Sequence, residues 1–139
     1  MWQIEFSSAE FLPVLPEPCQ GNPGVYGFEL AWWLATSLAA RDLITSYPMG
    51  EDWGWLIEHI NPSGTEFTIG CASMADEGEG YTQQPIRWSI FIRPHTSLKQ
   101  RLTGVSHDAE VQRIAQAIIA ALREKGIAPV EPPAQRRTP

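Results

Sequence analysis

Hydrophobic and polar residues alternate along four stretches of the chain, as they do in strands with one buried face. The four stretches are residues 2–7, 53–60, 66–71 and 86–93. Between the second and the third, residues 61–64 read Asn-Pro-Ser-Gly, and these residue types suit successive positions of a tight turn. We therefore expect an antiparallel hairpin there. Residues 43–47 are a shorter candidate for a further strand.

Two other stretches repeat their apolar residues every three to four positions, which is the period of an amphipathic helix. The first begins at residues 22–23, an Asn-Pro pair that suits the N-cap and the first helical position, and runs to about residue 41. The second covers residues 107–125 and stops at Gly126, a residue type that commonly ends helices. Residues 95–105 have no clear period, and we expect a connector with one helical turn.

The predicted order of elements is β-α-β-β-β-β-α. Two amphipathic helices need an apolar sheet face to cover, so the fold class is α+β. We expect a two-layer sandwich of a mostly antiparallel, four- to five-stranded sheet with two main helices. Residues 1–127 form this single domain, and the proline-rich residues 128–139 are expected to be a disordered tail.

Composition narrows the class of protein. Of the 139 residues, 43% are hydrophobic and 19% are charged, a balance typical of one globular domain. No apolar run approaches the roughly 18 to 20 residues that a membrane span needs. The N-terminus lacks the basic cluster and apolar stretch of a signal peptide, so we expect a cytoplasmic protein without a membrane partner.

Charge is unevenly distributed along the chain. Three basic and twelve acidic residues give residues 1–95 a net charge of −9, whereas seven basic and four acidic residues give residues 96–139 a net charge of +3. Phosphate binding requires a concentrated basic face, so the acidic body argues against nucleic acid as a partner. An acidic surface suits a basic partner protein, because opposite charges accelerate association.

Residues that could carry chemistry are scattered. The three histidines have no metal-ligand spacing to one another, to a cysteine or to a carboxylate, so we expect no metal and no cofactor. Cys71 and His59 could form a nucleophile–base pair, since the hairpin turn sets their strands side by side. However, Cys71 occupies an apolar position, where a thiol is inert. The sequence therefore favours a binding protein over an enzyme.

Six tryptophans in this chain are several times ordinary usage. Four of them lie on apolar faces and are expected in the core: Trp2, Trp32, Trp55 and Trp88. Trp33, with Tyr26, falls on the polar face of the first helix, and Trp53 follows Glu51 and Asp52 at the mouth of the hairpin. Exposed tryptophans anchor interfaces, because they bury a large area at little entropic cost. We predict an interface at these five residues.

Two alternatives remain open at this stage. The apolar residues of the proline-rich loop, residues 11–18, could cover Trp33 and make it a core residue. Alternatively, Trp53, Trp55 and the loop at residues 74–84 could wall a pocket, in which case the chain is a small ligand-binding domain or an enzyme.

Two segments resemble an uncharacterised family of small bacterial proteins. Residues 24–34 read GVYGFELAWWL, and residues 45–55 read TSYPMGEDWGW, which ends in the stretch EDWGW. The resemblance covers residues 2–95. It implies a bacterial origin and brings no activity, cofactor or catalytic residue.

The surplus of aromatic residues and the acidic body together predict a protein-interaction module of the immunity-protein or secretion-chaperone type. Its partner would be a protein of unknown identity, and a basic protein such as a nuclease toxin suits the charge. A second copy of the chain, forming a homodimer, is another candidate partner.

Overall fold

A computed structural model of the chain describes residues 1–20, 24–74 and 85–131. Five strands form one sheet: β1 (Trp2–Ser8), β2 (Met49–Glu51), β3 (Gly54–Ile60), β4 (Glu66–Ser73) and β5 (Ile86–Pro94). The described residues also form three α-helices: α1 (Phe28–Ala39), α2 (Leu98–Thr103) and α3 (Asp108–Glu124). The predicted α+β sandwich of an antiparallel sheet and two main helices is confirmed.

The strand order across the sheet is β1-β5-β4-β3-β2, and every neighbouring pair is antiparallel. Strands β2 to β5 form a meander, and the last strand, β5, pairs with the first, β1. Pairing fixes which side chains share a face. One row across four strands contains Ile4, Ile90, Cys71 and Trp55.

Helices α1 and α3 cover this apolar face. α1 buries Leu30, Leu34 and Leu38, while α3 buries Ile114 and Ile118, and these residues join one continuous core with the sheet. Burial of this apolar surface is the main force that holds the two layers together. Within the described part of the chain, no helix is long and apolar enough to cross a membrane.

Helix α1 begins at Phe28, not at residues 22–23 as predicted. Residues 21–23 lie outside the described residues, and the chain just before the helix is hydrogen-bonded to β4. There the Tyr26 N–H donates to Ser73 Oγ at 3.1 Å, and the Ser73 N–H donates to the Tyr26 carbonyl at 3.2 Å. A Cβ on Gly27 would overlap the carbonyl oxygen of Cys71. This close approach to the sheet prevents an earlier helix start.

Residues 43–47 are not a strand, and the second strand is instead β2. Side-chain hydrogen bonds replace part of the backbone ladder that a strand would need here. The Glu58 N–H donates to Ser46 Oγ at 3.0 Å, and His59 Nδ1 lies 2.8 Å from the carbonyl oxygen of Ile44. The strand predicted at residues 43–47 is thus a segment held beside β3 in part by side-chain hydrogen bonds.

The connector before α3 contains the expected helical turn. Helix α2 begins with a capping box, in which Ser97 Oγ accepts from the Gln100 N–H and the Gln100 side chain accepts from the Ser97 N–H. The end of α3 also follows the prediction: Gly126 has φ 80° just after the helix.

The start of the C-terminal segment, which was expected to be disordered from residue 128, is paired with β1. Glu5 and Val130 exchange two backbone hydrogen bonds of 2.8 Å, so the chain up to Glu131 lies along the outer edge of β1. Residues 132–139 lie outside the described residues.

The proline-rich loop is attached to α1 by one carboxylate. Glu29 Oε2 accepts from the backbone N–H groups of Val14 at 3.1 Å and Leu15 at 2.9 Å. Such a pair of charge-assisted bonds fixes the loop across the flank of the helix. The loop in turn places Phe11, which is 3% exposed, over the side of α1.

We expect Glu29→Ala to lower the free energy of unfolding by about 1 to 3 kcal/mol, because two loop N–H groups lose a charged acceptor. Amide hydrogen exchange at Val14 and Leu15 should accelerate at the same time. Glu29→Gln is the matched control, since its amide oxygen can still accept, and it should lose less stability. Equal loss in both variants would contradict this role of the carboxylate.

Candidate functional site

The structure separates the five residues predicted to form an interface. Tyr26 is 2% exposed, and its hydroxyl donates to Glu17 at 2.5 Å. Because α1 begins after this residue, the helical-wheel position that exposed Tyr26 does not apply. Tyr26 is therefore a buried anchor between β4 and the proline-rich loop.

Trp33 is half-buried on the side of α1 that the proline-rich loop covers. The centroid of its ring lies 4.9 Å from that of Phe11, and Lys125 Nζ lies 5.8 Å from the Trp33 ring. The proline-rich loop therefore covers Trp33, as the alternative from the sequence had it. Trp33 is not a fully exposed interface anchor.

Trp53 and Trp55 lie on opposite faces of the sheet. Trp55 packs against Phe28 of α1, with ring centroids 5.1 Å apart, on the helix-covered face. Trp53 packs against Phe91 at 5.1 Å, on the other face, because it precedes β3 and leaves the alternation of that strand. The two rings therefore do not wall one pocket. Most of the predicted third wall, residues 75–84, lies outside the described residues.

Glu51 and Asp52 are exposed where β2 ends and turns into β3. β2 is the edge strand of the sheet, next to the segment at residues 43–48. These two acids therefore lie at the β2 edge of the sheet, whereas Trp33 lies on α1 and the Trp53 ring packs on the sheet face opposite the helices.

A surface groove of about 230 Å³ lies between α1 and residues 44–48. We call it the aromatic groove. On the helix side it is lined by Trp32, Ala35, Thr36 and Ala39. On the other side, Ile44 and Tyr47 are 65% and 64% exposed, and Trp32 is 47% exposed. Trp32 was predicted as a core residue, so its exposure is a correction.

The wall formed by residues 44–48 is fixed to β3. Besides the bonds from Glu58 and His59, the Ser46 N–H donates to the Glu58 carbonyl at 2.8 Å. Leu43 and Pro48, at its two ends, are buried. The wall therefore holds Ile44 and Tyr47 at the surface by backbone attachment, so their exposure does not result from a loose loop.

Four aromatic rings meet at one end of the groove. Phe28 lies at their centre, with ring centroids 6.5 Å from Trp32, 6.4 Å from Tyr47 and 5.1 Å from Trp55. The rings of Trp32 and Tyr47 are 5.3 Å apart and inclined at 65°. Edge-to-face contacts of this kind orient the rings, so the groove presents a shaped aromatic surface.

Sequence reasoning missed Trp32 because it assigned α1 a single apolar arc. At about 100° per residue, Trp32 and Trp33 project to opposite flanks of the strip made by Leu30, Leu34 and Leu38. The wheel puts Trp32 at the end of the apolar arc and Trp33 among polar residues, but it does not show that the proline-rich loop covers the Trp33 flank. Ile44 and Tyr47 could have indicated which flank of α1 stays open. The strand predicted for residues 43–47 hid this signal.

The one nucleophile–base pair considered does not form. Cys71 lies opposite Trp55, whereas His59 lies opposite Phe67, four residue pairs further along the hairpin, and its ring is hydrogen-bonded to the Ile44 carbonyl. Burial raises the pKa of the Cys71 thiol, which keeps it protonated and unreactive. Among the residues with described positions, no three metal-ligating side chains are grouped together.

No protein-family model matches the chain, and no curated protein or solved structure matches it either. The aromatic groove is thus supported by its own geometry and chemistry.

The two adjacent tryptophans of α1 provide a matched test of this assignment. We expect Trp33→Ala to lower the free energy of unfolding by about 2 to 4 kcal/mol, because it empties a site packed against Phe11. Trp32→Ala should cost less than about 1 kcal/mol, since much of its ring already faces water. Denaturant unfolding of both variants measures the difference, and the reverse order of stabilities would refute the assignment.

The two cysteines should differ in reactivity. Cys19 is exposed, whereas Cys71 is buried and has a raised pKa, so its thiol persists as the pH rises. Iodoacetamide at pH 8 should modify the native chain once and the unfolded chain twice, as counted by intact mass. Two modifications at equal rates in the native chain would contradict the burial of Cys71.

Proposed function

We propose that the chain is a small acidic protein-interaction module, of the immunity-protein or secretion-chaperone type, which binds a partner protein at the aromatic groove. The observation that carries this proposal is the exposure of Trp32, Tyr47 and Ile44 around one groove with fixed walls. Side chains of this kind are usually buried, and clusters of them at a surface mark interaction sites.

The aromatic rings supply the affinity in this proposal. Trp and Tyr dominate the energies of many interfaces, because they bury a large area with few rotatable bonds. At about 25 cal/mol per Å², covering the exposed parts of Trp32 and Tyr47 contributes a few kcal/mol. The fixed wall beneath Tyr47 reduces the conformational entropy that binding would cost.

Charge around the groove favours a basic partner. Residues 42–58 contain four acidic residues and no lysine or arginine: Asp42, Glu51, Asp52 and Glu58. Such a field accelerates encounter with a positively charged protein and repels an acidic one. The groove supplies apolar contact, and its surroundings supply the preference for opposite charge.

The shape of the groove suits a segment of protein better than a small molecule. Small-molecule sites enclose most of their ligand, whereas this groove is open along its length. The hydroxyls of Thr36, Thr45 and Ser46 already bond to backbone groups within the walls. They are therefore not arranged to recognise a compact polar ligand.

The experiment is affinity purification of the tagged full chain from extracts of the organism that encodes it, with quantitative mass spectrometry. We expect one protein near one-to-one stoichiometry, and at least tenfold less of it with Trp32→Ala or Tyr47→Ala. Recovery should fall as salt is raised, since the partner is basic.

Leu102→Ala is the matched control, because Leu102 is 79% exposed on α2, outside the groove. It should recover the partner as the unchanged chain does, and circular dichroism should show that all three variants are folded. Recovery that the groove variants leave unchanged, or that Leu102→Ala reduces equally, would refute the proposal.

A further inference from the structure

The aromatic groove offers two side-chain hydrogen-bond donors, whereas hydroxyls of its walls already donate to backbone carbonyls. The Thr36 hydroxyl donates to the carbonyls of Trp32 and Trp33, both at 2.9 Å, and the Ser46 hydroxyl donates to the Tyr47 carbonyl at 3.1 Å. Within the described ranges, the Trp32 indole N–H and the Tyr47 hydroxyl have no hydrogen-bond partner. Both side chains are exposed at the groove, and these groups can donate to an incoming carbonyl oxygen.

A proline-rich peptide matches this pattern. Proline has no N–H, so an extended polyproline segment presents ring surface and carbonyl acceptors and needs few acceptors in return. Proline-rich peptides bind aromatic-lined grooves in this way. Here the inclined rings of Trp32 and Tyr47 form one side, and the short side chains of Ala35 and Ala39 leave room for a proline ring.

The end of the chain itself has this composition. Residues 129–139 read PVEPPAQRRTP, with four prolines, and residues 132–139 carry Arg136 and Arg137 with no acidic residue. Residues 42–58, which include one wall of the groove, contain four acids and no lysine or arginine, so the charges are complementary. We propose that the aromatic groove binds residues 132–139 of a second copy of the chain, as an extended proline-rich segment. This inference rests on the proposed function, because it names a partner for the same groove.

The reach of the segment points to a second copy rather than to the same chain. Val130 is paired with β1, and β2, beside the groove, is at the opposite edge of the sheet. Four strand spacings of about 4.8 Å separate those edges by roughly 19 Å. Eight residues in polyproline conformation span about 25 Å. Crossing the sheet would leave about two residues for binding, too few to fill the groove.

The test uses a fluorescein-labelled peptide of residues 129–139, titrated with the full chain and followed by fluorescence anisotropy. We expect saturable binding that weakens at least tenfold with Trp32→Ala or Tyr47→Ala and is unchanged by Leu102→Ala. Replacing Pro132 and Pro133 of the peptide by alanine should weaken binding at least tenfold. Replacing Arg136 and Arg137 should weaken it and reduce its salt dependence.

Absence of saturation, or binding that either groove variant leaves unchanged, overturns the proposal. Equal binding of the peptide without Pro132 and Pro133 also overturns it, because charge attraction alone would then explain the result. Circular dichroism and denaturant unfolding of the groove variants exclude loss of fold as the cause of weaker binding.

Sedimentation velocity of the full chain tests the second copy as the source of the segment. We expect a concentration-dependent increase in mass, which the double change Pro132→Ala and Pro133→Ala in the full chain abolishes. A full chain that stays monomeric while the peptide binds would overturn the second copy as occupant. If the peptide fails to bind but capture of another protein still depends on Trp32, only this inference falls and the proposed function stands.

Discussion

Helix α1 carries more apolar surface than one sheet face can cover, and the rest of the structure depends on how that surplus is buried. Leu30, Leu34 and Leu38 face the sheet, which leaves Trp32 and Trp33 on the two flanks. One flank is closed by the proline-rich loop, which Glu29 binds through two backbone N–H groups. The other flank meets residues 44–48 only in part, and the aromatic groove is the surface that remains.

The fold was predictable because its signals are local. Alternation gave four of the five strands, the turn at residues 61–64 gave the hairpin, and the period of α3 gave that helix within one residue at each end. The errors have a common physical cause. Helix α1 starts late because Tyr26 bonds to Ser73, and the ladder at residues 43–47 is interrupted because the Glu58 N–H donates to the Ser46 side chain. Both are contacts between distant parts of the chain.

The candidate site was harder to predict than the fold, for the same reason. The sequence indicated that aromatic residues were in surplus, and it placed Glu51 and Asp52 at the mouth of a hairpin. Which tryptophan remains exposed depends on where a loop of the N-terminal part crosses α1, and no helical wheel contains that information. Adjacent residues of one helix thus exchange roles, with Trp33 covered and Trp32 exposed.

Both edges of the sheet are protected against the addition of another strand. The chain covers β1 itself by the pairing of Glu5 with Val130. β2 has only three residues, and it is flanked by Pro48 and ends in the acids Glu51 and Asp52, which are features that discourage edge-to-edge pairing. Association through backbone hydrogen bonds is therefore disfavoured at either edge. Under the proposed function, recognition then uses side chains, and the aromatic groove beside β2 is where exposed aromatic side chains are grouped.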